Sequence, residues 1–361
     1  MQTAVALNDK IEKIWQKKPL IISGPCSAET REQVLETAQR LAATGNVDLF
    51  RAGIWKPRTK PGLFEGVGTV GLSWLKEASL QTGIPTTVEV ATAKQVGDAL
   101  AHGVDVLWIG ARTTVNPFSV QEVADALKGV DIPVFIKNPI NPDLELWAGA
   151  IERVARAGIK KIGLIHRGFS SYGNTEYRNA PMWHLAIEMK LRYPTFPLIN
   201  DPSHICGRRD ILWDVMQKAI DLHYDGLMVE THIDPDHAWS DAKQQITPEN
   251  FHSLLTKITW RKEDVNSASY HAALEQLRQK INHLDDEVLQ LLGNRMKIAE
   301  KIALYKKENN ITILQTNRWQ EIQERLGARA EQLGLSRAFL TQFLDAIHME
   351  SINHQKNVMD N

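Results

Sequence analysis

The stretch KPLIISGPC, residues 18–26, decides the fold of this chain. A proline precedes the apolar run LIISG and a glycine–proline pair ends it, which is typical of a short strand bounded by turns. Continuous rather than alternating hydrophobicity indicates a strand buried on both faces, as in a parallel sheet covered by helices. The pattern recurs in LIISG (20–24), VDLFRAG (47–53), PTTVEV (85–90), VDVLWIG (104–110), PVFIKN (133–138), KIGLIH (161–166), PLIND (197–201) and GLMVET (226–231).

Helix-like segments separate these eight runs. Eight strand–helix units in about 250 residues are typical of a closed (β/α)8 barrel, the TIM barrel. No G-x-G-x-x-G follows the first run, which argues against a dinucleotide-binding doubly wound sheet. We therefore predict an α/β fold with a barrel domain over residues 1–260.

The last hundred residues differ in composition from the rest. All 15 prolines lie at or before Pro248, and only three of the 22 glycines come later. Because loops need these residues and helix interiors exclude them, long helices are expected here. The sequence predicts a separate all-α domain over residues 271–361, joined to the barrel by a polar linker at 261–270.

Overall composition excludes several classes of protein. Among 361 residues, 42 basic and 43 acidic side chains give a net charge of −1, so no binding of nucleic acid or of an anionic membrane is expected. The N-terminus carries charges where a signal peptide needs an apolar run, and no apolar stretch is long enough to span a membrane. Only two cysteines occur, which suits a reducing compartment. These features predict a cytoplasmic protein.

Charged side chains follow almost every predicted strand. The carboxyl ends of barrel strands form the mouth in which active sites lie. Six cations are expected there: Arg51, Lys56, Arg58, Arg112, Lys137 and Arg167. Clustered cations repel one another unless anions occupy the site, and arginine forks match carboxylate and phosphate oxygens. We expect a cavity for small molecules that carry several such groups.

A second set of residues at the strand ends suits a metal ion. The set comprises Cys26, His204, Glu230 and Asp241. One thiolate, one imidazole and two carboxylates can surround a borderline divalent ion. Strands one and eight are neighbours in a closed barrel, so these residues can meet. For single residues, an inert buried thiol at Cys26 and a helix cap at Asp241 remain alternatives.

Five segments resemble one enzyme family. GPCS (24–27), RAGIWKPRT (51–59), GARTT (110–114), DPSHICGRRD (201–210) and the run from Asp225 to Pro248 are similar to 3-deoxy-D-arabino-heptulosonate 7-phosphate (DAHP) synthase, the first enzyme of the shikimate pathway. The resemblance covers nearly all of residues 18–250. The KPRT segment distinguishes it from the sister octulosonate 8-phosphate synthases, which remain the alternative for the barrel.

The resemblance implies a substrate and a role for each site residue. It implies condensation of phosphoenolpyruvate with erythrose 4-phosphate, dependent on Mn²⁺, Zn²⁺, Co²⁺ or Fe²⁺ held by the four candidate ligands. Phosphoenolpyruvate is implied to bind Arg51, Lys56, Ala111, Arg112, Lys137 and Arg167. The phosphate of erythrose 4-phosphate is implied to bind Arg58 and Thr59. Glu89 would lie beside the reacting carbons, and Lys56 would donate or relay a proton.

A seam of apolar residues begins the helical domain. Leu277, Ile281, Leu284 and their successors recur at spacings of three and four, so they lie along one side of a long helix. Arg295 interrupts this seam, and Ser351 and Gln355 interrupt a similar stripe on the last helix. The pattern predicts a polar pocket in a helical bundle; a polar position that sets the helix register, or a non-catalytic dimerisation module, is the alternative.

Helix geometry constrains which cations share that pocket. Lys306 lies 11 residues after Arg295, which places it about 16 Å along the helix and about 20° around it. The two long side chains can therefore bind opposite ends of one small molecule. Arg278 lies about 25 Å before Arg295 and cannot reach the same ligand. If Arg278 is functional, it serves a second subunit, and the domain is a homodimer.

These positions resemble the all-helical class of chorismate mutase over about residues 272–356, beginning at LRQKINHLD (277–285). The resemblance implies conversion of chorismate to prephenate. Arg278 of a partner, Arg295 and Arg318 would bind carboxylates, and Lys306 and Gln355 the ether oxygen, with Ser351 lining the site.

Two positions depart from the mutase family. Gln315 and Trp319 stand where it often has acids, so a sensor without catalytic activity is the alternative. Feedback inhibition of the barrel enzyme by prephenate or chorismate through this domain is expected, because no other domain is predicted.

Overall fold

Eight parallel strands close into a barrel in the computed structural model, which describes residues 11–56, 62–173, 176–262 and 264–360. The strands are β1 Leu20–Gly24, β2 Leu49–Arg51, β3 Thr86–Val90, β4 Val106–Ile109, β5 Val134–Lys137, β6 Ile162–His166, β7 Leu198–Asn200 and β8 Gly226–Glu230. They neighbour one another in chain order, and β8 pairs with β1. The predicted (β/α)8 barrel is confirmed, with one strand inside each predicted run.

Helices cover the barrel, and three further helices follow it in the chain. They are α1 (residues 11–16), α2 Arg31–Thr44, α3 Val70–Thr82, α4 Ala93–Ala101, α5 Ala111–Thr114, α6 Pro117–Ala126, α7 Leu144–Arg156, α8 Trp183–Arg192, α9 Pro202–Cys206, α10 Leu212–Asp221, α11 Pro248–Lys257, α12 Ala268–Glu308, α13 Thr316–Gln332 and α14 Arg337–Asp360. Within the described ranges, none of them has the length and apolar character needed to cross a bilayer.

The barrel strands are buried on both faces, as their continuous hydrophobicity predicts. In β4, Leu107 and Ile109 belong to the layer between the sheet and its helices. Val106 and Trp108 belong to a separate cluster that fills the barrel. Since side chains alternate along a strand, four consecutive buried residues require two apolar environments.

Aspartates placed just before strands hold the amino end of the barrel in register. Asp48 accepts a hydrogen bond from the backbone N–H of Ile21 at 2.9 Å, and Asp105 accepts one from Thr86 at 2.7 Å. Asp225 accepts the N–H of Leu198 at 2.9 Å. Each carboxylate satisfies a backbone donor on a neighbouring strand.

The chain divides into two compact units, Met1–Glu263 and Asp264–Asn361. In the second unit α12 packs along α14, and Met296, Ala299 and Ala303 are its buried residues. The apolar seam of α12 faces away from this contact: Leu277, Ile281 and Leu284 are 57%, 56% and 57% exposed. Small buried residues such as Ala299 and Ala303 let two helices approach closely, whereas the larger seam residues remain more than half exposed in the part of the unit that the structure describes.

Candidate active sites

Three of the candidate metal ligands meet at the carboxyl end of the barrel. One ligand atom each from Cys26, Glu230 and Asp241 lies within 4.8 Å of the other two. The register of the sheet explains this, because Gly24 of β1 pairs with Glu230 at the end of β8. Asp241 comes from the loop after β8, and its Oδ2 lies 3.4 Å from Sγ of Cys26.

The thiol of Cys26 is completely buried, and burial raises its pKa to about 12. The ammonium of Lys56 donates to Sγ at 3.0 Å and to the Cys26 carbonyl oxygen at 2.8 Å. A neutral buried thiol is inert, but a bound cation deprotonates a thiol that coordinates it. The thiol of Cys26 is therefore expected to become a thiolate only when a further positive charge joins that of Lys56.

His204 lies beside this cluster. Its Nε2 is 3.7 Å from Oε1 of Glu230. Its Nδ1 lies 2.8 Å from Oδ2 of Asp201, which orients the ring and leaves Nε2 directed at the cluster. Burial lowers the pKa of His204 despite the nearby Asp201, so the ring is in the neutral form that can bind a metal.

Arg51 ends β2 and is buried beside the cluster. Its Nη2 is 3.1 Å from Oε1 of Glu230, and its guanidinium carbon lies 5.1 Å from the centre of the Trp108 ring. The Nε and Nη1 atoms of Arg51 are buried and find no hydrogen-bond partner among the residues the structure describes. Such donors carry a desolvation penalty that an anionic ligand would remove.

Two further cations are buried at the same rim. Nζ of Lys137 donates to Oδ2 of Asp201 at 2.7 Å. Nη1 of Arg167 donates to Oδ1 of Asn179 at 2.6 Å. Burial lowers the pKa of Arg167 to about 10, and the neighbouring charges of Arg178 and Arg112 act in the same direction. Mutually repelling cations in a buried site are the expected signature of an anion-binding pocket.

Glu89 and Ala111 line the same side of the mouth. The indole N–H of Trp108 donates to Oε2 of Glu89 at 3.0 Å. A Cβ at Gly110 would lie 2.0 Å from Oε1 of Glu89, so any other residue at this position would displace that carboxylate. Ala111 begins the short helix α5, and Arg112 follows it with an exposed side chain.

The helical unit contains a second cluster of polar side chains. Arg295 of α12 donates to the hydroxyl of the buried Ser351 on α14. Farther along, Nζ of Lys306 donates to Oε1 of Gln355 at 3.1 Å and to the carbonyl oxygen of Ile313 at 2.6 Å. The residues that interrupt the two apolar stripes thus face one another across the α12–α14 contact.

An apolar cavity of about 470 Å³ adjoins this cluster. Arg295 and Arg318 line it, and its described lining contains no acidic residue. Arg318 pairs with Glu321, which lies outside the lining. Trp319 also lines it, and its ring stacks on His348 with centroids 4.1 Å apart. Arg278 is exposed and does not belong to this lining, as the helix geometry predicts.

Comparison with known proteins agrees with these two clusters. Residues 3–266 match the DAHP synthetase I family, and residues 277–356 match chorismate mutase type II. The chain belongs to the DAHP synthetase I family. As a family member with a fused mutase domain, it is an enzyme with DAHP synthase and chorismate mutase activities.

Several relatives support this assignment. A phospho-2-dehydro-3-deoxyheptonate aldolase of Thermotoga maritima is 33% identical over 238 residues, 66% of this chain and 68% of the relative. A 2-dehydro-3-deoxyphosphooctonate aldolase of Desulfotalea psychrophila is 28% identical, with 66% and 88% covered. The crystal structure of the Thermotoga maritima DAHP synthase is similar with a TM-score of 0.59 at 32% identity, covering 66% of this chain and 67% of that one.

Two predicted site residues lie outside the described residues. They are Arg58 and Thr59, which are predicted to bind a sugar phosphate. The other predicted residues of the barrel site are described. Their roles remain predictions.

Sequence reasoning missed several polar side chains that surround the predicted ones. Asp201 pairs with both Lys137 and His204, and Arg178 lies 3.1 Å from Asp241. Gln244 donates to Oε2 of Glu230 at 2.6 Å. Asp201 left a signal in the sequence, because it ends a predicted strand run and an aspartate directly before a proline is a typical helix N-cap, but no site role was predicted for it.

Proposed function

We propose that the barrel condenses phosphoenolpyruvate with erythrose 4-phosphate and water, and releases DAHP and inorganic phosphate. The observation that supports this most is the buried cluster of Cys26, Glu230 and Asp241 beside an Arg51 guanidinium with two unsatisfied donors. A site of this kind needs both a cation at the acidic cluster and an anion at the arginine.

A divalent transition metal fits the donor set. Thiolate, imidazole and carboxylate ligands together suit Mn²⁺, Zn²⁺, Co²⁺ or Fe²⁺. Oε1 of Glu230 is buried and lies 3.1 Å from Nη2 of Arg51, but it accepts no hydrogen bond from the described residues, so it keeps lone pairs for a metal cation. Cys26, His204, Glu230 and Asp241 would hold the ion, which when bound supplies Lewis-acid polarisation of the aldehyde oxygen.

The side chains of the cavity orient phosphoenolpyruvate. Arg51, Lys137 and Arg167 would take its carboxylate and phosphate, with Arg112 and the backbone of Ala111 at the rim. Arg58 and Thr59 would take the phosphate of erythrose 4-phosphate. Fixing two anions in one cavity removes much of the entropic barrier to their meeting.

Lys56 would supply the proton that the aldehyde oxygen needs. As C3 of phosphoenolpyruvate forms a bond with the aldehyde carbon, the Lys56 ammonium donates or relays a proton to the former carbonyl oxygen. Water then adds at C2, and the resulting hemiketal phosphate loses inorganic phosphate. Glu89 lies at the same rim and would face the reacting carbons.

Metal removal tests the proposal for the barrel. Protein stripped with a chelator, and verified as metal-free, is expected to lose condensation activity and to recover it with Mn²⁺ or Co²⁺. Phosphate release is followed with phosphoenolpyruvate and either erythrose 4-phosphate or arabinose 5-phosphate. Full activity without metal contradicts the proposed site, and turnover only with arabinose 5-phosphate favours the octulosonate 8-phosphate synthase alternative.

The helical unit would rearrange chorismate to prephenate. Arg295 and Arg318 would bind its carboxylates, and Lys306 and Gln355 would stabilise the charge that develops on the ether oxygen. No nucleophile or base is required, because the site only holds the compact conformer. The contact between Lys306 and Gln355 supports this assignment. Gln315 and Trp319 stand where the family often has acids, and turnover of chorismate by the intact chain tests catalysis against the alternative of a ligand sensor.

The exposed seam of α12 supports a homodimer in which each subunit supplies Arg278 to its partner's pocket. Leu284→Glu places a charge in the centre of this seam, so we expect a monomer and a loss of mutase activity. Asn282→Glu is the matched control, because residue 282 lies about 160° around the helix from residue 284. Light scattering coupled to gel filtration reports the mass; a dimer that survives the Leu284 substitution contradicts the interface.

Feedback control would act through the helical unit. Prephenate is expected to inhibit the intact synthase, and a chain that ends at residue 260 is expected to be insensitive. Coupling between two sites is worth about 5–150-fold in affinity, so the loss is measurable in a simple inhibition curve. Equal inhibition of both chains would remove this proposal.

A cytoplasmic location is also proposed. Both cysteines are free and buried, which suits a reducing compartment.

A further inference from the structure

Two buried polar residues near the metal ligands have no role in the steps above. Glu29 lies in the loop after β1, and His232 lies two residues after the end of β8. They are 6% and 4% exposed. Nε2 of His232 is 3.3 Å from Oε2 of Glu29, so the pair joins the loop that carries Cys26 to the loop that carries Asp241.

The hydrogen bonds define which ring nitrogen of His232 carries a proton. The backbone N–H of Asp234 donates to Nδ1 of His232 at 2.9 Å, so Nδ1 carries a lone pair and the proton lies on Nε2. Nε2–H therefore donates to Glu29. The second oxygen of Glu29 accepts the backbone N–H of Trp239 at 2.7 Å. One carboxylate thus holds the segment that precedes Asp241 at two points.

Two more contacts attach the same loops to each other. The hydroxyls of Ser27 and Ser240 lie 2.5 Å apart. Gln245 accepts the backbone N–H of Cys26 at 2.9 Å and donates to the carbonyl oxygen of Ser240 at 2.9 Å. The Ser27–Ser240 and Cys26–Gln245 contacts join residues 26–29 to residues 232–245, and the Gln245–Ser240 contact lies within the second segment.

The backbone of Asp241 needs such support. Its φ of 47° lies in the left-handed region, which is costly for a residue other than glycine. A residue keeps this conformation only when its surroundings enforce it, and the contacts on Trp239, Ser240 and Gln245 surround this position in the chain.

We propose that Glu29 and His232 are positioning residues that hold the carboxylate of Asp241 beside Cys26 and Glu230, and thereby set the affinity of the barrel for its divalent cation. This inference rests on the metal site of the proposed function. Groups that orient metal ligands typically change metal affinity by about 10–100-fold when they are replaced.

Glu29→Gln tests the role of the carboxylate. Glutamine keeps the size of the side chain, but it can accept only one of the two hydrogen bonds, because its amide group would face another donor. Metal-free protein is titrated with Co²⁺, and the thiolate-to-cobalt absorption band gives both ligation by Cys26 and the dissociation constant. We expect the band at saturating Co²⁺ in both proteins, and a dissociation constant about 10–100-fold higher in the variant. The KM for phosphoenolpyruvate at saturating metal should stay unchanged.

Asp48→Asn is the matched control, because Asp48 also accepts a backbone N–H and faces an ammonium, that of Lys17, at the opposite end of the barrel. It should lower stability without changing the affinity for Co²⁺. If Glu29→Gln does not fold, His232→Phe keeps a ring of similar size but removes the Nε2–H donor to Glu29, and it should weaken Co²⁺ binding in the same direction.

The outcomes separate the two levels of inference. No thiolate band in the unsubstituted protein refutes the metal site itself. If the band is present in that protein, an equal dissociation constant in the folded Glu29 variant refutes the positioning role alone. If the Glu29 variant is unfolded, an equal dissociation constant in the His232 variant has the same meaning. Equal weakening by Asp48→Asn refutes it too, because the effect would then reflect general destabilisation.

Discussion

Cys26→Ala is expected to lower the rate of DAHP formation by about 10³-fold while the chain stays folded. The thiol is the one sulfur ligand in the cluster with Glu230 and Asp241. Its loss leaves two carboxylates and a histidine, which bind borderline metals less tightly. A Lewis acid is worth several kcal/mol of transition-state stabilisation, and about 4 kcal/mol corresponds to 10³ in rate. Steady-state phosphate release measures the change.

The chain offers a matched control for this substitution. Cys206 is also free and buried, and its thiol lies in the hydrophobic core with a hydrogen bond to the carbonyl oxygen of Ile211 at 3.7 Å. Cys206→Ala removes a similar volume and should keep both the activity and the bound metal. If Cys26→Ala retains full activity at substoichiometric metal, the thiol is a structural residue and the ligand set is wrong.

Lys306→Met is expected to lower the kcat of the mutase by about 10²–10³-fold, which is the usual effect of removing one donor to a developing oxyanion. The ammonium contacts Gln355 and Ile313 at the end of the α12–α14 contact, and its removal leaves no charge to stabilise the ether oxygen. Conversion of chorismate to prephenate is followed by the loss of chorismate absorbance. DAHP synthesis should not change.

Lys307→Met is the control for charge and helix propensity. Lys307 is the next residue of α12, and its ammonium contacts the carbonyl oxygen of Val358 at 3.3 Å on an exposed surface. We expect normal mutase activity from this variant. Equal loss in both variants would mean that the effect arises from destabilised helices rather than from the site, and no turnover in the unsubstituted chain would favour the sensor.

Much of the architecture could be read from local patterns in the sequence. The apolar runs from LIISG to GLMVET each contain one strand of the barrel, because a strand buried on two faces needs an uninterrupted apolar segment. The absence of proline after Pro248 corresponds to three long helices. Such signals depend only on neighbours in the chain, so they can be recognised without knowledge of the tertiary structure.

The barrel topology then extends these local signals to the site. Cys26 and Glu230 are 204 positions apart, yet Cys26 follows the end of β1 and Glu230 ends β8, two strands that a closed barrel makes adjacent. The sequence predicted this meeting because strand order in the barrel follows chain order.

The conformations of the loops, and the choice of packing face on α12, were decided by the tertiary structure alone. Contacts such as those of Arg178 with Asp241 and of Glu29 with His232 join loops whose paths no local pattern predicts. On α12 the regular seam at Leu277 and Ile281 is exposed, and the buried residues are Met296, Ala299 and Ala303. Periodicity identifies a helix face that needs cover, but whether a neighbouring helix or a second subunit covers it depends on how the whole chain packs.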